Sequence, residues 1–169
     1  MDRASVTRLG LRVAAIGAVV LVAMQFVPYG WHHPNPPVVQ DASWPDDASA
    51  SIARDSCYDC HSNETNWPIY SYIAPMSWLT RRDVEDGRDE LNFSRWDEDA
   101  GEADDAIDSI LEDSMPPGRY TLVHRGASLS DDEVDRLVAA LETMDRDDDS
   151  RGGGSDDGDG DGDGGPGPG

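Results

Sequence analysis

Residues 57–61 read Cys-Tyr-Asp-Cys-His, and this stretch decides how the whole chain is interpreted. Two thiols three positions apart lie on one side of a helical turn, where they can add to both vinyl groups of one porphyrin. The next residue, His61, then lies under the iron as its proximal ligand. The C-x-x-C-H spacing is the attachment signature of c-type haem. We therefore predict one covalent haem c per chain, bound through Cys57 and Cys60.

Three other interpretations of the cysteine pair stay open at this point. A thioredoxin-like redox pair needs a strand–helix–strand setting, and the sequence shows no such alternation. A structural zinc site needs four ligands; Cys57, Cys60, His61 and His124 are available, but a second cysteine pair is missing. A disulfide across the two intervening residues is compatible with an exported protein.

Met115 is the predicted ligand on the opposite side of the iron, 54 residues beyond His61. Pro116-Pro117-Gly118 follows it, and the restricted φ of proline would hold the thioether on a stiff loop. Ligation by His and Met raises the reduction potential relative to two His ligands. His124 and an open or water-bound site are the alternatives. Met76 and Met144 fall within helical patterns, where core packing is the expected role.

Residues 1–28 predict a transmembrane signal anchor. Val13–Met24 is an unbroken run of small and apolar residues, which flanking apolar residues extend to roughly 19 positions, close to the ~20 that cross a bilayer. Arg3, Arg8 and Arg12 precede the run and place the N-terminus in the cytoplasm. A cleaved signal peptide has a similar pattern, but no good cleavage site follows. Both interpretations put the rest of the chain outside the cytoplasm.

The rest of the chain divides by composition into three segments. Residues 29–46 are proline-rich and predict an extended tether. Residues 47–144 carry the motif and predict a c-type haem-binding domain. Residues 145–169 are rich in Asp and Gly and have no large apolar side chain, so they predict a disordered tail.

Apolar periodicity within residues 47–144 predicts a small all-α, cytochrome-c-like domain around one haem. The clearest signal is the capping box of Ser130 and Glu133, followed by an apolar face that predicts a helix over 131–144. Further predicted helices run from about Asp47 toward Cys57, over 76–91 with Leu79, Val84 and Leu91 inward, and over 100–113 with an apolar face of Ala103, Ala106, Ile107, Ile110 and Leu111.

Residues near the motif suggest how the haem is surrounded. We expect one or more aromatic residues among Trp67, Tyr70, Tyr72 and Trp78 to pack on the porphyrin. A carbonyl of Pro68 or Pro75 is expected to accept a hydrogen bond from His61 Nδ1. Arg81 and Arg82 are candidates to pair with the haem propionates, although solvated arginines are common on helices.

The charge of the chain limits its partners. The formal net charge is −22, and all 13 basic residues are Arg. This acidity argues against binding of nucleic acid and of anionic lipid, because both need a basic surface. Two explanations remain: steering toward a basic partner protein, and adaptation of the whole proteome to high salt.

The run from Cys57 to Trp78 resembles the bacterial haem-binding domain family, whose members are cytochrome-c-like domains with one CxxCH motif, often behind a single N-terminal anchor. The resemblance covers residues 25–144 and departs from the family in the lack of Lys, the acid excess and the Asp/Gly tail. Further matching motifs are Asn35-Pro36-Pro37, Asp83-Val84, Gly87-Arg88, Leu91-Asn92-Phe93-Ser94, Trp96, Met115-Pro116, Tyr120, His124 and Leu129-Ser130.

Two functions are compatible with these features. The first is a membrane-tethered monohaem c-type cytochrome, not an enzyme, that carries one electron between redox partners on the outer face of the membrane. The alternative is a haem-based ligand-binding or sensing module. A haem peroxidase is disfavoured, because one CxxCH motif supplies no second haem to store an oxidising equivalent. A closed, six-coordinate iron favours the first function, and an open or labile site favours the second.

Overall fold

The computed structural model describes residues 3–99 and 103–152. Within these ranges the chain is helical, with one isolated bridge between Gln40 and Arg95 and no strand. The predicted all-α class is confirmed. The α-helices are α1 (Arg3–Met24), α2 (Asp47–Ser56), α3 (Tyr58–His61), α4 (Met76–Glu90), α5 (Trp96–Asp99), α6 (Ala103–Leu111), α7 (Gly118–Val123) and α8 (Asp131–Gly152), with 3₁₀ turns at Ile69–Tyr72 and Arg125–Ala127.

Helix α1 is long and apolar enough to cross a membrane. The helix has 22 residues, and an 18-residue window within it has a mean hydropathy of 1.9. None of that window is buried against the rest of the chain. At 1.5 Å per residue the helix is about 33 Å long, close to the ~30 Å of a bilayer's hydrocarbon core.

The core of the domain lies where α2 and α6 pack against α8. Helix α8 supplies Leu137, Leu141 and Met144, each at most 4% exposed, to a cluster that includes Ala53 of α2 and Ile107 of α6. Met144 therefore has the packing role that its helical pattern predicted. The start of α8 is held by the Glu133 carboxylate, which accepts from the Ser130 N–H at 2.8 Å and from its hydroxyl at 2.7 Å.

Several details of the helices differ from the predictions. Helix α8 continues to Gly152 rather than ending at 144, so the first part of the predicted tail is helical. Leu79 and Met76 of α4 are 40% and 42% exposed instead of buried, because they lie on the face of α4 that no described segment covers. Leu111, at the last turn of α6, is also exposed. Residues 100–102 and 153–169, which complete the predicted helix over 100–113 and the predicted tail, lie outside the described residues.

The proline-rich segment over 29–46 is extended, but it lies along the domain rather than hanging free. Asn35 donates to the Thr65 carbonyl at 2.9 Å and accepts from the indole N–H of Trp67 at 3.1 Å. Farther on, Ala42 is buried and Trp44 packs against the core. The reason is that the segment carries a hydrogen-bonding side chain at Asn35 and apolar side chains at Ala42 and Trp44, and composition alone does not show that these groups pack on the domain.

Arg88 of α4 ties this segment to the rest of the domain. Its guanidinium donates to the carbonyls of Ser62 at 2.7 Å and Pro34 at 3.0 Å. It also donates to the side chains of Asn35 at 3.1 Å and Thr65 at 2.8 Å. One arginine therefore joins α4, the loop after α3 and the proline-rich segment.

Helices α3 and α4 approach each other at Gly87. A Cβ at this position would lie 2.9 Å from the Cys60 carbonyl oxygen and 3.1 Å from the Cys60 Cβ. The nearest obstacle is backbone, which cannot rotate away as a long side chain can. The motif helix therefore depends on a residue without a side chain in the facing helix.

We expect Gly87→Ala to destabilise the domain. Alanine is the better helix former by about 1 kcal/mol, but overpacking a close contact costs about 1–3 kcal/mol. The net loss should lower the midpoint of thermal unfolding. Gly126→Ala is the matched control, because a Cβ there meets nothing within 4 Å. A Gly87→Ala variant at least as stable as the control would show that α3 and α4 are not in this contact.

Candidate functional site

A cavity of about 460 Å³ opens between the motif and helices α4, α6, α7 and α8, and it brings the four predicted site residues together. Cys57, Cys60, His61 and Met115 all lie on its wall, although Met115 is distant in sequence. The apolar part of the wall comes from Trp44, Leu91, Phe93, Ala106, Ile110, Leu129, Leu137 and Leu141.

The motif takes its position from two helices that meet at Cys57. The Cys57 N–H donates to the Ala53 carbonyl at 2.8 Å and ends α2. The Cys57 carbonyl then accepts from the His61 N–H at 2.9 Å, which closes the single turn of α3. The predicted helix from Asp47 to the motif is thus present, and Asp46 caps its first turn.

His61 is oriented by a backbone carbonyl from the segment that follows α4. Its Nδ1 lies 3.1 Å from the Leu91 oxygen. Because a carbonyl only accepts hydrogen bonds, Nδ1 carries the proton and Nε2 keeps its lone pair. Burial lowers the pKa of His61, which favours the neutral ring that binds metals. The prediction of a Pro68 or Pro75 carbonyl was wrong, because the segment that follows α4, not the one before it, reaches the imidazole.

A buried polar network holds the Leu91 carbonyl in place. Asn92 donates from its side chain to the Asn63 side-chain oxygen at 3.0 Å, and the Ser94 N–H donates to the Asn92 side-chain oxygen at 3.0 Å. The Asn63 N–H donates to the Ser94 hydroxyl at 3.0 Å, and the Phe93 N–H donates to the His61 carbonyl at 2.8 Å. These residues appeared in the family resemblance, but only the structure assigns them this positioning role.

The two residues between the cysteines anchor the motif on opposite sides. Tyr58 is 3% exposed, stacks on Phe93 with ring centroids 5.2 Å apart, and hydrogen-bonds through its hydroxyl to Trp44 and Asp41. The Asp59 carboxylate accepts from the Tyr120 hydroxyl at 2.8 Å and so links the motif to α7. The two cysteines that flank them line the cavity.

Met115 is held at the edge of the cavity by the loop after α6. Its N–H donates to the Ser109 carbonyl at 3.1 Å, and the residue is 40% exposed. His124, the alternative ligand, does not line the cavity. Its Nε2 is 2.6 Å from the Tyr70 hydroxyl, and its ring stacks on Tyr120 with centroids 4.4 Å apart.

The aromatic residues on the cavity wall are not the expected ones. Those that line it are Trp44, Phe93 and Tyr120. The predicted stretch packs elsewhere: Trp67 and Tyr72 contact His33, and Tyr70 contacts His124. The indole N–H of Trp78 is buried away from the cavity, with no partner among the described residues. The proximity of this stretch to the motif in sequence was misleading, because the chain turns away from the cavity after α3.

The arginine on the cavity wall is also different from the predicted pair. Arg81 binds Glu85 and the His32 carbonyl, and Arg82 pairs with Asp86 at 3.1 Å. Among the described residues that line the cavity, the arginine is Arg119. It pairs with Asp83 at 2.9 Å. Sequence reasoning missed Arg119, although its position three residues after Pro116 was a usable signal. The guanidinium of Arg119 is a cationic group on the cavity wall, and such groups pair with carboxylates.

Cys57 and Cys60 are not joined in a disulfide. Burial, together with the neighbouring Cys60, raises the pKa of Cys57 to about 12. Burial and the carboxylates of Asp83 and Asp59 raise the pKa of Cys60 to about 12. A catalytic redox thiol has the opposite shift. Within the described ranges no cluster of three or more Cys, His, Asp or Glu is arranged to hold a metal ion, so the zinc site with His124 is not formed.

Comparison with known proteins shows which family this chain resembles. The model of the haem-binding domain family matches residues 19–143. The chain belongs to the haem-binding domain family. Over 149 residues it is 26% identical to the cytochrome c peroxidase Ccp of Escherichia coli (strain K12), a match that covers 76% of this chain but only 31% of that relative's length. No solved structure matches the chain significantly.

The residues present fit a haem. The apolar part of the cavity wall suits the porphyrin, and the wall also carries an imidazole whose Nε2 is available as a ligand. Two thiols and a thioether lie on the same wall, and Arg119 offers a cation for a carboxylate. Cavities of about 300–1,000 Å³ are typical of ligand sites.

The raised pKa values predict slow alkylation of both cysteines in the folded, haem-free domain. At pH 8 a thiol with a pKa of about 12 is ionised to about one part in 10⁴, against about a tenth for an ordinary cysteine. Iodoacetamide should therefore react about a thousandfold more slowly with the folded chain than with the same chain in urea. The rate should rise about tenfold per pH unit above pH 8. Equal rates in the folded and unfolded chains would contradict the burial of the thiols.

Proposed function

We propose that this chain is a membrane-attached monohaem c-type cytochrome that carries one electron between redox partners on the outer face of the membrane. The observation that carries the proposal is the convergence of Cys57, Cys60, His61 and Met115 on one cavity. A bound haem would supply one-electron chemistry at its iron. Cys57 and Cys60 would hold it covalently, and His61 and Met115 would be its axial ligands.

The rest of the cavity supports a carrier rather than a catalyst. The apolar part of the wall would exclude water from a bound haem, and the Leu91 carbonyl keeps His61 in the tautomer whose Nε2 is free to bind iron. A haem iron that keeps both axial ligands would exchange electrons without binding a substrate. The similarity to a peroxidase covers less than a third of that relative, so we propose no enzymatic activity for this chain.

The location on the outer face rests on charge and chemistry. Arg3, Arg8 and Arg12 lie at the N-terminal end of α1, which by the positive-inside rule stays in the cytoplasm. The domain that follows α1 is then outside the cytoplasm, where c-type haem is attached.

A haem-based sensing module is the second candidate, and one observation favours it. Met115 is 40% exposed on a loop, so an external ligand has a route to the position that Met115 would occupy. The two candidates differ in whether Met115 leaves the iron under native conditions.

Covalent attachment is tested by expression together with a cytochrome c maturation system. We expect haem stain to stay with the polypeptide on a denaturing gel and after extraction with acidic acetone. The double variant Cys57→Ala/Cys60→Ala should lose the stain, because both thioether bonds are removed. Met115→Ala is the matched control and should keep it, because that residue contributes no covalent bond. Stain removed from the native chain by the solvent would overturn the proposed c-type attachment.

Axial ligation is tested by Met115→Ala in the covalent haem protein. Loss of the thioether should lower the reduction potential, abolish the weak near-infrared sulfur-to-iron band of the oxidised form, and open the iron to carbon monoxide. Met76→Leu is a close control, because Met76 is 42% exposed and Met115 is 40% exposed, but only Met115 lines the cavity. Carbon monoxide binding to the native protein at the variant's rate would favour the sensing module instead.

A further inference from the structure

Exposed apolar side chains cover one end of the domain, formed by the 3₁₀ turn at Ile69–Tyr72 and the first turn of α4. Ile69 is 85% exposed, and Ile73 is 56% exposed. No described segment packs over them. We call the following five residues the apolar patch: Ile69, Tyr72, Ile73, Met76 and Leu79.

The end of α1 is bound to the centre of this patch. Gln25, the residue directly after α1, makes two hydrogen bonds to the backbone of Ala74. Its side-chain oxygen accepts from the Ala74 N–H at 3.0 Å, and its Nε2 donates to the Ala74 carbonyl at 3.0 Å. This pairing fixes the point where the apolar helix ends relative to the loop between Ile73 and Met76.

The segment that follows Gln25 strengthens the connection. Gly30 adopts φ +84°, and a Cβ there would lie 2.8 Å from the Ser77 carbonyl oxygen, so the chain lies directly on the start of α4. Tyr29 donates to the Glu85 carboxylate at 3.0 Å, and the Trp31 indole donates to the Gln25 carbonyl at 3.2 Å. The chain therefore leaves α1 across the domain surface, with no free linker between them.

We infer that the apolar patch is a membrane-docking surface that inserts into the headgroup region of the bilayer crossed by α1. The patch is joined to the end of α1, and Tyr29 and Trp31 beside it are 45% and 58% exposed, as aromatic residues at a bilayer interface are. An apolar surface suits this chain, whose net charge of −22 opposes electrostatic binding to anionic lipid. The inference rests on the proposed crossing by α1 and not on haem.

Docking would give the cavity a defined position relative to the bilayer. Met76 begins α4 at the patch, whereas Asp83, Gly87 and Glu90 of the same helix line the cavity. Along the helix axis these residues are about 10–21 Å from Met76. A rigid helix would therefore connect the membrane contact to the cavity, so the domain would not rotate freely on a tether.

The test uses the full-length haem-loaded protein in phosphatidylcholine vesicles. A lipid that carries a carbene-generating photoreactive group marks residues in contact with the bilayer, and tandem mass spectrometry maps them. We expect labels in α1 and in residues 69–79. Val39 is 68% exposed, lies on a segment hydrogen-bonded to Ser94 rather than to Gln25, and should stay unlabelled.

Substitutions in the patch separate docking from membrane crossing. Ile69→Asp/Ile73→Asp should reduce labelling of residues 69–79 to the level of Val39 and leave α1 labelled. Val39→Asp, a matched change of an exposed apolar residue, should leave the pattern unchanged. Labels confined to α1 would overturn docking of the apolar patch and leave the membrane crossing by α1 intact. If the unlabelled patch instead cross-linked to a second copy of the chain, the patch would be assigned to self-association. Absence of labels from α1 would overturn the crossing and the inference together.

Discussion

The close contact of α3 with α4 at Gly87 is the constraint on which the rest of the site depends. A Cβ at Gly87 would meet the Cys60 backbone at 2.9 Å, so the two helices are as near as their backbones allow. The segment that follows α4 then offers the Leu91 carbonyl to His61 Nδ1 at 3.1 Å. The orientation of the His61 ring is therefore set by a backbone carbonyl outside the motif, as hydrogen bonds to the second ring nitrogen commonly orient histidines.

Hydrogen bonds to backbone atoms hold the loops beside α3 and α4 in place. Arg88 gathers the carbonyls of Ser62 and Pro34, and the Asn63 side chain donates to the Pro37 carbonyl at 2.9 Å. These loops contain little regular structure, and their polar groups are buried, so each needs a partner to avoid an unsatisfied hydrogen bond.

The domain is organised along α4. One end carries the apolar patch and the contact with Gln25, the middle contacts the motif, and the far end leads into Leu91. Among the described residues, the cavity wall carries one arginine, Arg119, and five carboxylates, from Asp59, Asp83, Asp86, Glu90 and Asp105. The charged part of the cavity wall is thus mainly acidic, like the chain as a whole.

The sequence by itself determined the features that depend on neighbours along the chain. The C-x-x-C-H spacing, the capping of α8 by Ser130 and Glu133, and the length of α1 all follow from local periodicity and local hydrogen bonds. Only the tertiary structure decided which distant groups meet these features: the Leu91 carbonyl at His61, Arg119 in place of Arg81 and Arg82, and Trp44, Phe93 and Tyr120 in place of the aromatic stretch over 67–78. The physical reason is that each of these contacts depends on the path of a loop, and a loop's path is set by the packing of the helices that it joins rather than by its own composition.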